Sequence, residues 1–272
     1  MKIGIVGLGL IGGSILKSLA QKGFEMFAVS RNLQTLESAK TVCNSVSTDL
    51  QILKDCEIVF VAVPMSNVLE TLEKLEAILP QNTVVTDVSS LKEFVMQRKY
   101  SFDFIGSHPM AGTEHAGYKY SFAELFEDAK WVLTPYADTK QDSINKLESV
   151  ILQTGAKVVF ADAEKHDEAV AKISHMPMLL AQALFDFVKD DKLALVLAAS
   201  GFRDMTRLAM SNVDMACDMI DMNRQNIEKA LALVDSSVKN LNENYRQKIE
   251  DIKVQRSNMY NENGKNVVQI TQ

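Results

Sequence analysis

Residues 2–12 read Lys2-Ile3-Gly4-Ile5-Val6-Gly7-Leu8-Gly9-Leu10-Ile11-Gly12, and this stretch decides the fold. Ile3–Val6 is a short apolar run of strand type. Gly7, Gly9 and Gly12 form a G-x-G-x-x-G, and Ile11, Ile15, Leu16 and Leu19 then recur at helical spacing. The three-glycine pattern is weak alone, but between a strand and a helix it signals dinucleotide binding. Gly7 permits the tight turn, Gly9 lets the backbone approach a pyrophosphate, and Gly12 allows close helix–strand packing. Leu10 and Ile11 open the helix, whose free N–H groups and positive dipole end suit phosphates. The same five glycines, Gly4, Gly7, Gly9, Gly12 and Gly13, argue against reading Lys2 and the run to Leu16 as a secretory leader, and the run is too short to span a bilayer.

Outward from this stretch, strands and helices alternate to about residue 160. Met26–Val29 reads as a strand, and Leu33, Leu36, Ala39 and Cys43 form a helical stripe. Ile58–Val63 is a continuous apolar run suited to a strand covered on both faces. Val68, Leu69, Leu72, Leu75 and Leu79 mark a further helix, and Thr83–Thr86, Phe104–Ile105, Trp131–Thr134 and Lys157–Phe160 supply more strands. Repeated βα units imply an α/β fold, with a mostly parallel, doubly wound Rossmann sheet over residues 1–162. After Asp162 the strand signals stop. Residues 163–272 read as an all-helical substrate and dimerisation domain, broken near Pro177 and Gly201, with a polar tail from Arg256. Its last long helix starts near Asn223 and carries Ile227, Leu231, Val234, Val238, Leu241, Tyr245 and Ile252 in a heptad-like seam. Such a seam packs within the chain or between subunits, and a homodimer through the helical domain is expected.

Bulk properties narrow the function. At 272 residues and 47% hydrophobic, the chain has ample material for a buried core. A net charge of -6 argues against nucleic acid or an anionic membrane as the main partner, while leaving room for a locally basic pocket. No membrane segment is read. Cys43, Cys56 and Cys217 form no CxxC pair, so neither a disulfide framework nor a metal site is expected, and a cytoplasmic protein fits best.

The second strand bears on the cofactor. An NAD site normally ends it with a carboxylate for the ribose 2′-hydroxyl. Here it ends in Ser30-Arg31-Asn32, which can bond or pair with a 2′-phosphate, so NADP is expected. Val63 and Pro64, at the end of the third apolar run, join the cofactor-contact set.

Three segments carry the chemistry. Asp87-Val88-Ser89-Ser90-Leu91-Lys92 ends one strand, and Ser107-His108-Pro109-Met110-Ala111-Gly112-Thr113-Glu114 ends the next, where ligands meet an open α/β sheet. Gly201-Phe202-Arg203-Asp204-Met205-Thr206-Arg207 sets two cations one helical turn apart in the helical region. With Ile173-Ser174-His175-Met176-Pro177, these segments resemble prephenate and arogenate dehydrogenases, in the family order, from Met1 to about residue 255. Neither a regulatory domain nor a chorismate mutase is read, so the minimal form is expected, and Ser30-Arg31 resembles NADP-using, cyanobacterial-type members.

The resemblance implies oxidative decarboxylation of prephenate or arogenate, toward tyrosine. His108 matches the catalytic histidine, and a neutral imidazole suits acceptance of a hydroxyl proton near pH 7. Ser90 matches the serine that orients the hydroxyl and the histidine. Arg207 matches the carboxylate-binding arginine, with Arg203 and Asp204 in support, and His175 matches a substrate-contacting histidine. Thr113 and Glu114 are assigned to the side-chain end of the pocket, where an acid would favour the ammonium of arogenate. His166 is read as a structural group at a helix start, and Lys92 as a cap or ion-pair partner near the cofactor.

Two other classes compete. A β-hydroxyacid dehydrogenase would carry a KxxN-type lysine, but Lys172 is followed by Ile173-Ser174-His175, without the asparagine. A non-enzymatic dinucleotide sensor would be expected to lose His108 or Arg207, and both are present.

Overall fold

The structure is a computed structural model that describes residues 1–113, 115–241, 245–260, 264, 266 and 268. The leading strand β1 (Lys2–Val6) pairs in parallel with β2 (Glu25–Val29), which pairs with the short β3 (Ser45–Ser47). On its other side β1 meets β4 (Ile58–Val61), followed by β5 (Val84–Asp87) and β6 (Asp103–Phe104). The six-stranded sheet runs 3-2-1-4-5-6 and is parallel throughout. Its order reverses between β1 and β4, the switch point at which such sheets bind ligands beyond their strand ends.

Both faces are covered, which is why the strands read as unbroken apolar runs. Ile15, Leu16 and Leu19 of α1 (Leu10–Ala20) and Leu147 and Ile151 of α5 (Gln141–Leu152) belong to one buried cluster with Ile3, Ile5 and Phe60. Val68, Leu72 and Leu75 of α3 (Val68–Glu76) belong to the other, with Val59, Val61 and Val85. Each such side chain, fully buried, contributes roughly 1.5–3 kcal/mol of transfer free energy. The short α2 (Leu33–Ala39) and α4 (Glu93–Met96) complete the helices of this half.

The structure departs from the single sheet that the strand pattern suggests. Beyond β6 the chain starts a second, three-stranded sheet of β7 (Gly106–Pro109), β8 (Lys130–Thr134) and β9 (Lys157–Phe160), with β7 antiparallel and β9 parallel to β8. Two features explain the split. A Cβ on Gly106 would lie 2.4 Å from Thr134 Oγ1, so only glycine allows this approach to β8. Side chains tie β7 to the end of β5: Asp87 Oδ1 accepts the Ser107 N–H at 3.1 Å, and Ser107 Oγ donates to the Asp87 carbonyl at 2.6 Å. The indole of buried Trp131 then donates to Ser107 Oγ at 3.0 Å.

After β9, α6 (Ala163–Val170) passes through a π-helical turn, Ala171–His175, into α7 (Met176–Val188). Pro177 therefore breaks nothing. It sits in the first turn of α7, where a missing N–H is tolerated, and the widened turn precedes it. The break expected near Gly201 lies at Ala198 and Ala199, both extended, between α8 (Lys192–Leu197) and α9 (Ser200–Thr206), which contains Gly201. Then follow α10 (Val213–Met222), α11 (Arg224–Leu241) and α12 (Tyr245–Met259). The expected single helix from Asn223 to Ile252 is thus described as two, with residues 242–244 outside the described set.

Two compact units result, Met1–Ile227 and Glu228–Gln272. The first contains both sheets and the helices through α10. A third buried cluster explains this: Met65 and Leu91, beyond β4 and β5, pack with Val170, Met178, Ala216 and Met219 of α6, α7 and α10. In the second unit, Arg256 lies over the Tyr260 ring at 3.8 Å, and Tyr260 bridges to Asn266.

Candidate active site

The glycine turn is built for an anion. Gly7 has φ +95°, and a Cβ there would meet the Ala62 carbonyl oxygen at 2.4 Å. A Cβ on Gly12 would lie 2.1 Å from the Gly7 carbonyl oxygen. Backbone cannot yield at such distances, so the turn, β4 and α1 are held together only by glycine at both positions. Gly9 is the reverse: a Cβ there meets nothing within 4 Å, so its backbone faces open space. Gly9 caps α1 with no side-chain hydrogen bond, and the first turn holds no acid. The opening N–H groups of an eleven-residue helix, with Leu10 and Ile11 among them, are therefore not taken up by a side-chain cap. Val63 Cγ1 would lie 3.1 Å from a Gly7 Cβ, and exposed Pro64 follows, so both border the turn. These residues fit a dinucleotide pyrophosphate.

Ser30, Arg31 and Asn32 follow β2, beside β1. Ser30 Oγ accepts the Asn32 N–H at 3.2 Å and keeps its own proton to donate. Asn32 spends its side chain on capping α2, accepting the Thr35 N–H at 3.0 Å. Arg31 is exposed and forms no ion pair among the described residues. Its charge reaches Glu70, whose carboxyl is held below its ordinary range chiefly by Lys74.

At the ends of β5 and β7 the chain gathers a buried polar cluster. Lys92, fully buried, pairs with Asp87 and lies 3.2 Å from Ser89 Oγ. Asp87 also accepts the Ser89 N–H at 3.0 Å and the Ser89 hydroxyl. The Lys92 ammonium and both Asp87 carboxylate oxygens are bonded, as a buried charge requires. Ser90 is half-buried in the same loop.

His108, half-buried on β7, brings its Nδ1 to 3.0 Å from Nε2 of His166 on α6. His166 Nδ1 lies 2.7 Å from Asp167 Oδ1. The Asp167 carboxylate also accepts the Lys92 and Glu93 N–H groups, at 2.8 and 2.9 Å, where α4 starts. Burial, then the nearby His166, Lys92 and His175, hold the His108 imidazole well below its ordinary titration range. His175, completely buried, is pushed down to about 4 chiefly by burial, with Asp167 pulling the other way. Its Nδ1 lies 3.1 Å from the Asn223 amide, which also donates to the Asp167 carbonyl at 3.0 Å. Its Nε2 is buried with no partner among the described residues.

The sequence reading did not place His166 and Asp167 beside His108. His166 does start a helix, but it also bonds His108. The available signal was an acid directly after one of only four histidines, in the first helix beyond the last strand. Lys92 is an ion-pair partner as expected, and Asp87 is its counter-ion.

The cationic segment is joined to the cluster by packing. Leu208, next to Arg207, and Met110, two residues after His108, both pack against the third buried cluster. Arg207 itself is exposed, at the start of a 3-10 turn after α9, and no hydrogen bond joins it to His108 among the described residues. Arg203 is exposed and paired with its neighbour Asp204 at 3.2 Å. Thr113 is exposed, and its Oγ1 accepts the His115 N–H at 3.2 Å. Glu114 lies outside the described residues.

Residues 16–160 match the family model described as prephenate dehydrogenase, nucleotide-binding domain, and residues 162–256 match prephenate dehydrogenase, dimerization domain. A prephenate dehydrogenase of Lactococcus lactis is 30% identical over 256 residues, covering 89% of this chain and 70% of that protein. The crystal structure of Synechocystis arogenate dehydrogenase is 34% identical with a TM-score of 0.81, covering 95% of this chain and 98% of the other. That of A. aeolicus prephenate dehydrogenase, in complex with hydroxyphenyl propionate and NAD+, is 28% identical with a TM-score of 0.85, over the same shares. A glycine turn shaped for a dinucleotide, a histidine cluster at the ends of β5 and β7 and matches along nearly the whole length have one explanation: the chain belongs to the prephenate dehydrogenase family.

Proposed function

We propose that this protein oxidatively decarboxylates prephenate, arogenate or both, to 4-hydroxyphenylpyruvate or tyrosine, with NADP as the hydride acceptor. The observation that carries the reading is His108: half-buried at a strand end, and held neutral by burial and by neighbouring His166, Lys92 and His175. A neutral imidazole accepts a proton, and a protonated one does not.

The substrate is a cyclohexadienol whose hydroxyl-bearing carbon stands opposite a ring carboxylate. His108 takes the hydroxyl proton as hydride leaves that carbon, and Ser90 orients the hydroxyl. The bound nicotinamide supplies the acceptor for that hydride. The carbon–carboxylate bond breaks, carbon dioxide departs, and the electron pair of that bond completes the aromatic ring, whose oxygen regains a proton from His108 to become the phenol. Arg207 pairs with the ring carboxylate, Arg203 with Asp204 supports it, and His175 contacts the substrate. Thr113 and Glu114 shape the side-chain end, where an acid favours arogenate's ammonium.

Gly7, Gly9, Leu10, Ile11 and Gly12 hold the pyrophosphate, with Val63 and Pro64 at its edge. An exposed Arg31 with no ion-pair partner among the described residues, the free hydroxyl proton of Ser30 and the absence of an acid after β2 support NADP. Asn32 contributes by capping the helix behind them.

A homodimer through the region from residue 163 onward is the second part of the reading. Phe187, Val196, Leu197, Met205, Met210 and Val213 are exposed on α7 to α10, Phe187 by 85% and Val196 by 81%. So much apolar surface in one region marks an interaction face. Val238, Tyr245 and Ile252 of the expected seam are exposed as well. We assign the enzyme to the cytoplasm, in keeping with three free cysteines and biosynthetic relatives. Among the described residues no helix is long and apolar enough to cross a membrane.

Steady-state dinucleotide reduction, with prephenate and arogenate each offered NADP and NAD, tests the reading. Turnover of at least one substrate with NADP favoured is the expected result, and no turnover of either would refute it.

A further inference from the structure

We propose that His166 and Asp167 are positioning residues that fix the tautomer of His108, leaving His108 Nε2 as a bare proton acceptor. This inference rests on the assignment of His108 as the group that takes the hydroxyl proton.

The geometry fixes the protons one after another. Asp167 presents a carboxylate that already accepts two backbone N–H bonds, from Lys92 and Glu93, and has no hydrogen to give. At 2.7 Å, His166 Nδ1 must therefore be the donor. With its proton on Nδ1, His166 offers a lone pair at Nε2. The 3.0 Å contact then requires His108 Nδ1 to donate. The His108 proton is thus held on the side away from the reaction. Its Nε2 has no hydrogen-bond partner among the described residues, and the residue is half-buried.

The surroundings favour this arrangement. Lys92 is a buried cation whose carboxylate, Asp87, is already used. A second positive charge on the histidine pair would stand beside Lys92, with only the twice-bonded Asp167 to compensate. His175 is excluded from the series. The Asn223 amide donates to its Nδ1, which places its proton on Nε2. The rigidity of the device comes from α4 and α6: the carboxylate that orients His166 also accepts the two N–H groups that open α4, which fixes the position of the carboxylate itself.

The experiment is ¹⁵N NMR of the histidine rings in the full chain at pH 7, combined with kinetics. Only four histidines are present, and His108→Asn and His166→Phe identify their own signals by difference. In the wild type, His108 should carry its proton on Nδ1 with Nε2 bare, and so should His166. His166→Phe removes the acceptor, and kcat should fall by about 10²-fold with KM nearly unchanged. His166→Gln offers a carbonyl oxygen to His108 Nδ1 and should recover most of that loss. A wild-type His108 protonated on Nε2, or a doubly protonated His166, would overturn the proposal even if His166→Phe failed to fold. Normal kcat in a folded His166→Phe would do the same. Full activity in His108→Asn would instead overturn the reaction assignment, which the ring signals alone do not address.

Discussion

His175 should impose a measurable pH dependence on stability. Its ring titrates ordinarily near 6.5 and is pushed down to about 4 in the folded protein. Burial dominates, His166 adds to it, and Asp167 opposes it. Between those two values the unfolded chain binds a proton that the folded chain refuses. Stability is therefore complete above about pH 6.5, declines as the pH falls through that window, and levels off below about 4. The whole displacement corresponds to about 3 kcal/mol, and the side chain is completely buried, so solvent screening does not reduce it. His175→Asn is the informative substitution. Its amide oxygen can accept the Asn223 amide in place of Nδ1, while the smaller side chain leaves a cavity. That cavity should cost roughly 1–3 kcal/mol at every pH, so the slope and not the absolute stability is the readout. Urea unfolding at pH 7 and pH 4.5 should show the wild type losing about 2–3 kcal/mol more than the variant. Slopes that run parallel for the two proteins would refute the reasoning.

Three further outcomes follow from the same structure. Arg31→Ala should cut the preference for NADP over NAD by at least tenfold, about 1.4 kcal/mol, measured as the ratio of kcat/KM for the two cofactors; an unchanged ratio removes the phosphate from Arg31. Arg207→Gln should act mainly on KM, by about 2–4 kcal/mol of lost binding, because its carboxylate partner is charged before the reaction starts; a pure turnover defect would show that its role is misassigned. Val196→Glu, on the exposed apolar face of α8, should convert a dimer to monomer by light scattering at micromolar concentration, and a wild type that is already monomeric would contradict the dimer.

What the sequence disclosed depended on how local the constraint was. The glycine turn is written in adjacent residues, and a Cβ on Gly12 would lie 2.1 Å from the carbonyl oxygen of Gly7, five residues earlier. The fully covered strands were equally legible, because Ile58–Val61 is apolar at every position. The second sheet was hidden, because its departure from the first rests on Ser107 reaching Asp87 and on Gly106 fitting against Thr134, contacts between distant residues. Pro177 illustrates a rule applied without its exception: proline in a first helical turn stops nothing. His108 and His175 were singled out through their motifs, and both lie in the buried histidine cluster. His166 was read as structural, because its bond to His108 spans 58 residues that no local pattern links.

The central claim is that a neutral His108 takes the proton of the reacting hydroxyl, and His108→Asn tests it most directly. With the substrate that the wild type turns over, kcat should fall by roughly 10²-fold or more while KM changes little. In the wild type, activity should persist well below pH 6.5 and fail only as His108 finally protonates, in line with its depressed titration. That acid limb should vanish in the variant. Near-wild-type kcat in His108→Asn, or an acid limb that survives the substitution, would contradict the account.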